Sequence, residues 1–151
     1  SMRQPGLFVF MQVTLIDAVS ADGFISNGAD IPWHLPEDVA YFRRYTAGKC
    51  LLVGRRTYEE MLGWFQPDHR VWVLSHNPDF KPQHGRVVTE VGTAIAQARA
   101  QGDELVVIGG GQVYALALPY AHQVIVSHVN TVLENGVKFP ALSKDLWRVV
   151  C

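Results

Sequence analysis

At 151 residues, with 48 % hydrophobic and 18 % charged residues, the chain has the size and composition of one soluble globular domain. Its formal net charge is −1, and no basic run exceeds the pairs Arg43–Arg44 and Arg55–Arg56, which argues against a nucleic-acid or membrane-surface partner. The cysteines, Cys50 and Cys151, show neither metal spacing nor a disulfide framework, and a signal-peptide pattern is lacking, so a reducing, cytoplasmic setting is expected.

Ser1 before Met2 reads as a cloning scar, and residues 1–10 as an extension to a single domain over 11–151. The apolar stretch "LFVFMQVTLIDAV" is interrupted by Gln12, Thr14 and Asp17, and is too short and polar to span a membrane. Strands are expected at 11–19, 50–54 ("CLLVG"), 70–75 ("RVWVLS"), 104–110 ("ELVVIGG") and 123–129 ("QVIVSHV"). Helices are expected at 36–47, 56–62, 90–101 and 112–120, and a surface loop at 75–85. The strands are almost continuously hydrophobic, as in a parallel sheet covered on both faces. The alternation predicts an α/β fold: a doubly wound, mainly parallel central sheet flanked by helices.

The first helix carries a question. In "DIPWHLPEDVAYFRRY", Pro36 suits a first helical turn, and two carboxylates follow it. At about 100° per residue from Leu35, Phe42 and Thr46 fall within about 20° and Val39 within about 40°, forming one apolar stripe. Asp38 lies about 40° from Phe42, at the stripe's edge, whereas Glu37 points nearly the opposite way. Asp38 is therefore the inward carboxylate. Two readings stand: complementing the helix dipole, worth about 0.3–1 kcal/mol, or binding a ligand group.

Two strand-to-helix junctions are rich in glycine. "LLVGRRTYEEM" sets a glycine and two arginines where backbone N–H groups attract anions. "ELVVIGGGQVYALALP" places three glycines before a helix, which lets a backbone approach a ligand closely. Tyr114 occupies the third glycine's place of a dinucleotide fingerprint, so the run is not that motif. Either turn has a structural reading; the pair points to a phosphate-bearing ligand at the sheet's carboxyl edge.

Taken in order, "IPWHLPEDVAYFRR", "LLVGRRTYEEM", "VWVLS" and "VIGGGQVYALALPYA", followed by "VSHVN" and "KFP", resemble dihydrofolate reductase of the bacterial type over roughly residues 11–147. The resemblance implies NADPH-dependent reduction of 7,8-dihydrofolate, with Asp38 holding the pterin and supported by Ser127. It further implies that Ile16, Ile31, Val39, Phe42 and Leu62 line the substrate pocket. Ala18 and Ile25 would touch the nicotinamide end of NADPH. Gly54, Arg55, Arg56 and Thr57 would hold its phosphates, and Leu74, Ser75 and His76 its adenine side. Gly110, Gly111, Gln112, Val113 and Tyr114 would take the pyrophosphate and nicotinamide ribose. No metal is implied.

Several positions depart from the family pattern. Asp17 replaces a small apolar residue, and Ser26 a glycine of the flap. In "WFQPDHRVW" the folate-tail contact falls to Arg70, with His69 as the alternative. "ENGVKFP" lacks the acidic residue that often precedes "FP". The chain stops at "LWRVVC", before the family's final hairpin, which would leave a sheet edge open to a homodimer. An antifolate-insensitive form is a variant of this reading. A riboflavin-pathway pyrimidine reductase on the same fold and a non-catalytic ligand-binding relic are the alternatives.

Overall fold

Short β-branched and aliphatic runs form the frame of the protein. The computed structural model describes residues 11–20, 24–26, 36–129 and 137–138, with side chains placed within 11–17 and 40–126. The strands are β1 (Gln12–Ser20), β2 (Phe24–Ser26), β3 (Cys50–Gly54), β4 (Arg70–Leu74), β5 (Arg86–Val88), β6 (Glu104–Val107), β7 (Gln123–Val129) and β8 (Val137–Lys138). The helices are α1 (Pro36–Thr46), α2 (Arg55–Glu60), α3 (Val91–Ala98) and α4 (Gly111–Ala117), with a 3-10 turn at Leu118–Tyr120. Six strands form one sheet in the order β5-β4-β3-β6-β1-β7, every described pairing parallel, and β2 pairs antiparallel with β8 in a separate ribbon.

The period-two alternation of the strands divides the core. On one face Val13, Leu15, Leu52, Trp72, Leu105 and Val107 pack with Val91, Ala94, Val113, Tyr114 and Ala117 of α3 and α4. On the other, Ile16, Leu51, Val53, Val71, Val73 and Val106 pack with Phe42 of α1 and Tyr58 of α2. All five residues of β3 are buried, which is why its sequence is apolar without interruption. Trp72 is core packing, its indole N–H donating to Gln97 Oε1 at 2.8 Å.

The expected elements occur in the expected order: β3 and β7 keep their bounds, β1 moves by one residue, and the other strands and the helices are shorter. Residues 108–110 leave β6 for a turn, because Gly109 takes φ of 122°, which breaks the extended run. α4 ends at Ala117 because Pro119 permits only the 3-10 turn that follows. Strand β5 was not legible, since three residues with an exposed Arg86 carry no periodicity. Ile31 with most of the flap, residues 1–10, Cys151 and the "LWRVV" edge with its dimer lie outside the described residues. Among the described residues no helix is long and apolar enough to cross a membrane.

At the amino edge of the sheet, polar groups tie α1 to β1 and β6. Glu104 accepts hydrogen bonds from Thr14 Oγ1 and the Tyr45 hydroxyl, each at 2.6 Å, and its other oxygen lies 3.0 Å from Lys49 Nζ. Burial opposes its ionisation, but the bonds from Thr14, Tyr45 and Lys49 outweigh burial and hold the carboxyl below its usual 4.5. Burial and then the bond to Glu104 push Tyr45 up from 10.0 to about 12.

The depressed Glu104 adds stability that is present above the unfolded value and lost as pH falls through the folded one. The raised Tyr45 adds stability that is present below pH 10.0 and lost on the way to about 12. Denaturant unfolding across pH should show both limbs, with Glu104→Gln flattening the acid limb and Tyr45→Phe the alkaline one. An unchanged acid limb in Glu104→Gln would remove this cluster from the stability of the fold.

Candidate active site

Strand β6 inserts between β1 and β3, and β4 and β7 lie outside them. The chain therefore reverses its winding at the β3–β6–β1 carboxyl ends, where open parallel sheets form a crevice. Both glycine turns arrive there and touch through their backbones. Gly54 N–H donates to the Gly109 carbonyl at 2.7 Å, continuing the ladder from the Ile108 N–H to Leu52 carbonyl bond at 2.9 Å. A Cβ on Gly54 would stand 2.8 Å from Val113 Cγ2, and one on Gly110 would stand 3.0 Å from Thr57 Oγ1. A side chain on Gly54 would displace Val113, and one on Gly110 would crowd Thr57. The Gly109–Gly110 peptide is cis.

Around this contact stand the residues expected to hold phosphates. Arg55 Nε is 2.7 Å from Glu59 Oε1 and its guanidinium lies 4.1 Å from the Phe80 ring centroid. Arg56 Nε is 3.6 Å from Glu60 Oε1, with the arginine side chain 83 % exposed. Exposed pairs of this kind contribute little to stability. Leu74 is in register with Gly54, Ser75 N–H bonds the Val88 carbonyl, and His76 is exposed. Gly111, Gln112, Val113 and Tyr114 open α4, with Gln112 exposed and the last two buried.

Tyr114 links this crevice to β1. Its hydroxyl donates to the Ile16 carbonyl at 2.9 Å. Burial, and after it the neighbouring Asp17 carboxyl, holds the phenol well above its ordinary value, so it keeps its hydrogen. On the opposite face the Ile16 side chain belongs to a cluster with Phe42, Met61 and Trp64, and the Phe42 and Trp64 ring centroids are 5.1 Å apart. The crevice thus has a polar, glycine-lined side and an aromatic side, and β1 runs between them.

A family model described as dihydrofolate reductase matches residues 12–151. The chain belongs to the dihydrofolate reductase family. It is 41 % identical over 140 residues to a Mycobacterium tuberculosis protein named dihydrofolate reductase, covering 90 % of this chain and 84 % of that one. A Neisseria meningitidis dihydrofolate reductase is 33 % identical over 138 residues, covering 91 % and 85 % respectively. The solved Enterococcus faecalis dihydrofolate reductase complexed with NADP(H) and RAB-propyl superposes with a TM-score of 0.85 at 27 % identity, over 96 % of this chain and 86 % of that one.

Two of the residues expected at the substrate, Leu62 and Arg70, stand apart from the Ile16–Phe42 cluster. Leu62 is 41 % exposed, whereas Met61 packs against the Ile16–Phe42 cluster. Helix α2 stops at Glu60 and Met61 caps it, and Met61 rather than Leu62 packs toward that cluster. Arg70 opens β4 at the amino edge and its Nη2 donates to the Gly48 carbonyl at 2.9 Å. His69 is buried, its ring stacked on Trp64 at 5.0 Å. Its Nδ1 accepts the Gln66 N–H at 2.9 Å, and burial lowers its pKa, so it is a neutral ring. Arg43, with its guanidinium 6.0 Å from the Trp64 centroid, brings a cation to that surface and was missed in the sequence, where helix phase turns it to solvent.

Asp38 and Val39 lie in the first turn of α1, Ile25 in β2, and Ala18 is in register with Ser127 across β1 and β7. The side chains of these five are outside the described ones.

The glycine contact predicts a coupled pair. Gly54→Ala should destabilise the protein by about 1–3 kcal/mol through overpacking. Val113→Ala in the same chain should recover part of that loss, measured by a double-mutant cycle in urea. Strict additivity would show that the two turns do not press on one another.

Proposed function

We propose that this protein reduces 7,8-dihydrofolate to 5,6,7,8-tetrahydrofolate with NADPH in the cytoplasm. The observation that carries the reading is the meeting of two glycine turns beside Arg55 and Arg56, next to the Ile16–Phe42–Trp64 surface, in a chain of this family. The residues present suit a dinucleotide phosphate. A glycine in each turn at their contact lets backbone N–H groups come close, and two surface arginines can exchange their glutamates for a 2′-phosphate. The solved relative complexed with NADP(H) supports the same ligand class.

When bound, NADPH supplies the hydride. The chain's residues orient and exclude water. Ile16, Phe42 and Met61 offer an apolar wall for a flat ring, and α1 carries Asp38 at its start for the ring's polar edge. In this reading Asp38 accepts hydrogen bonds from the pterin and promotes protonation at N5.

Spectrophotometric turnover tests the carboxylate. Asp38→Asn should lower turnover by about 10²–10⁴-fold with NADPH still bound, and acidic medium should partly restore it. Glu37→Gln should change turnover by less than about threefold, as for a surface charge. The reverse pattern would give the role to Glu37.

Cofactor titrations test the arginines. NADPH should bind more tightly than NADH, and replacing Arg55 and Arg56 together by alanine should erode that preference while the melting temperature stays near wild type. Equal affinity of the unmodified protein for both cofactors would sink this placement of the 2′-phosphate.

A further inference from the structure

The loop between β4 and β5 holds one aromatic ring in place. Asn77 N–H donates to Ser75 Oγ at 3.1 Å, Asn77 Oδ1 accepts the Asp79 N–H at 3.0 Å, and Phe80 N–H reaches the Asn77 carbonyl at 3.2 Å. This turn brings Phe80 edge to face with Tyr58 of α2, their centroids 6.3 Å apart. Tyr58 is buried and stacked on Phe65, and its hydroxyl accepts the His84 N–H at 2.8 Å. Gly85 closes the loop at φ of 97°, where a Cβ would stand 2.3 Å from the Val71 carbonyl oxygen. Both ends of the loop are therefore anchored, and Phe80 is half-buried against the Tyr58 side of the core.

Phe80 also meets Arg55. The guanidinium carbon lies 4.1 Å from the ring centroid, in van der Waals contact over the ring. The Arg55 Nε donates to Glu59 Oε1 at 2.7 Å, which leaves the Nη groups for a further acceptor. Stacking uses the flat face of a guanidinium, whereas anions bind its N–H edge. Glu59 and a phosphate therefore compete for one edge, and Phe80 competes with neither. The face contact persists when one anion replaces the other. A freely rotating arginine loses its rotamer freedom on gripping an anion, and a stacked one has given up part of it beforehand.

We propose that Phe80 is a positioning residue for cofactor choice, holding the Arg55 guanidinium over its ring so that the N–H edge meets a 2′-phosphate. That phosphate is what distinguishes NADPH from NADH. The effect on cofactor choice rests on the reading of function above; the stacking does not.

Nuclear magnetic resonance of the whole chain without cofactor reads the contact directly. Protons held over an aromatic face shift upfield. The Arg55 Hδ and Hε signals, assigned by their loss in Arg55→Ala, should lie upfield of their positions in the urea-unfolded chain. They should return downfield in Phe80→Leu and stay near wild type in Phe80→Tyr, which keeps a ring. Signals at the unfolded positions in the wild type, or indifferent to Phe80→Leu, would overturn the inference.

Cofactor titrations supply the second arm. An exposed cation–π contact is worth about two- to fivefold in an equilibrium constant. Phe80→Leu should weaken NADPH by that factor and leave NADH within about twofold of wild type, while Phe80→Tyr keeps the NADPH affinity. In the Arg55→Ala chain, Phe80→Leu should add no further loss, because the ring then has no cation to hold. Equal losses of NADPH and NADH, or an undiminished loss without Arg55, would overturn the positioning role. Unchanged NADPH affinity in Arg55→Ala would overturn the placement of the 2′-phosphate and the role of Phe80 with it, and the resonance shifts would still decide the stacking.

Discussion

The approach of two backbone turns governs this site. Gly54 N–H meets the Gly109 carbonyl at 2.7 Å, with Val113 Cγ2 wedged where a side chain on Gly54 would go. Because no Cβ intervenes, β3 and β6 stay paired to their carboxyl ends, and α2 and α4 begin side by side. A crevice with close, donor-rich walls follows from that geometry. A Cβ on Gly54 would overlap Val113 and one on Gly110 would press on Thr57, so both contacts depend on glycine.

Strand β1 is the second organising element, since neighbouring residues on it serve opposite sides. Ile16 faces the aromatic cluster of Phe42, Met61 and Trp64, and Asp17 faces α4. Tyr114 crosses to the Ile16 carbonyl, so one hydroxyl joins the glycine-lined side to the wall of the aromatic side. A displacement of α4 would be felt by β1 through that bond, which is how a polar group remote from a substrate can set its orientation.

The sheet also separates stability from chemistry along its length. At the amino edge, Glu104 gathers Thr14, Tyr45 and Lys49 into a satisfied network that pins α1 to β1 and β6. At the carboxyl edge, Arg55 and Arg56 lie on the surface, paired with Glu59 and Glu60.

Much of this was present in the sequence because it depends on local chemistry. Continuous hydrophobic runs specified buried parallel strands, the glycine turns specified close backbone approach, and motif order pointed to the dihydrofolate reductase family. Tertiary packing decided the rest. It ended α2 at Glu60, and Met61, not Leu62, joined the Ile16–Phe42 cluster. It turned Arg70 to the Gly48 carbonyl and buried His69 against Trp64, a choice that spacing within "PDHRVW" leaves open. It also brought Asp17 to Tyr114, residues distant in the chain whose partnership no local pattern encodes, because strand register and helix placement alone determine which hydroxyl meets which carboxyl.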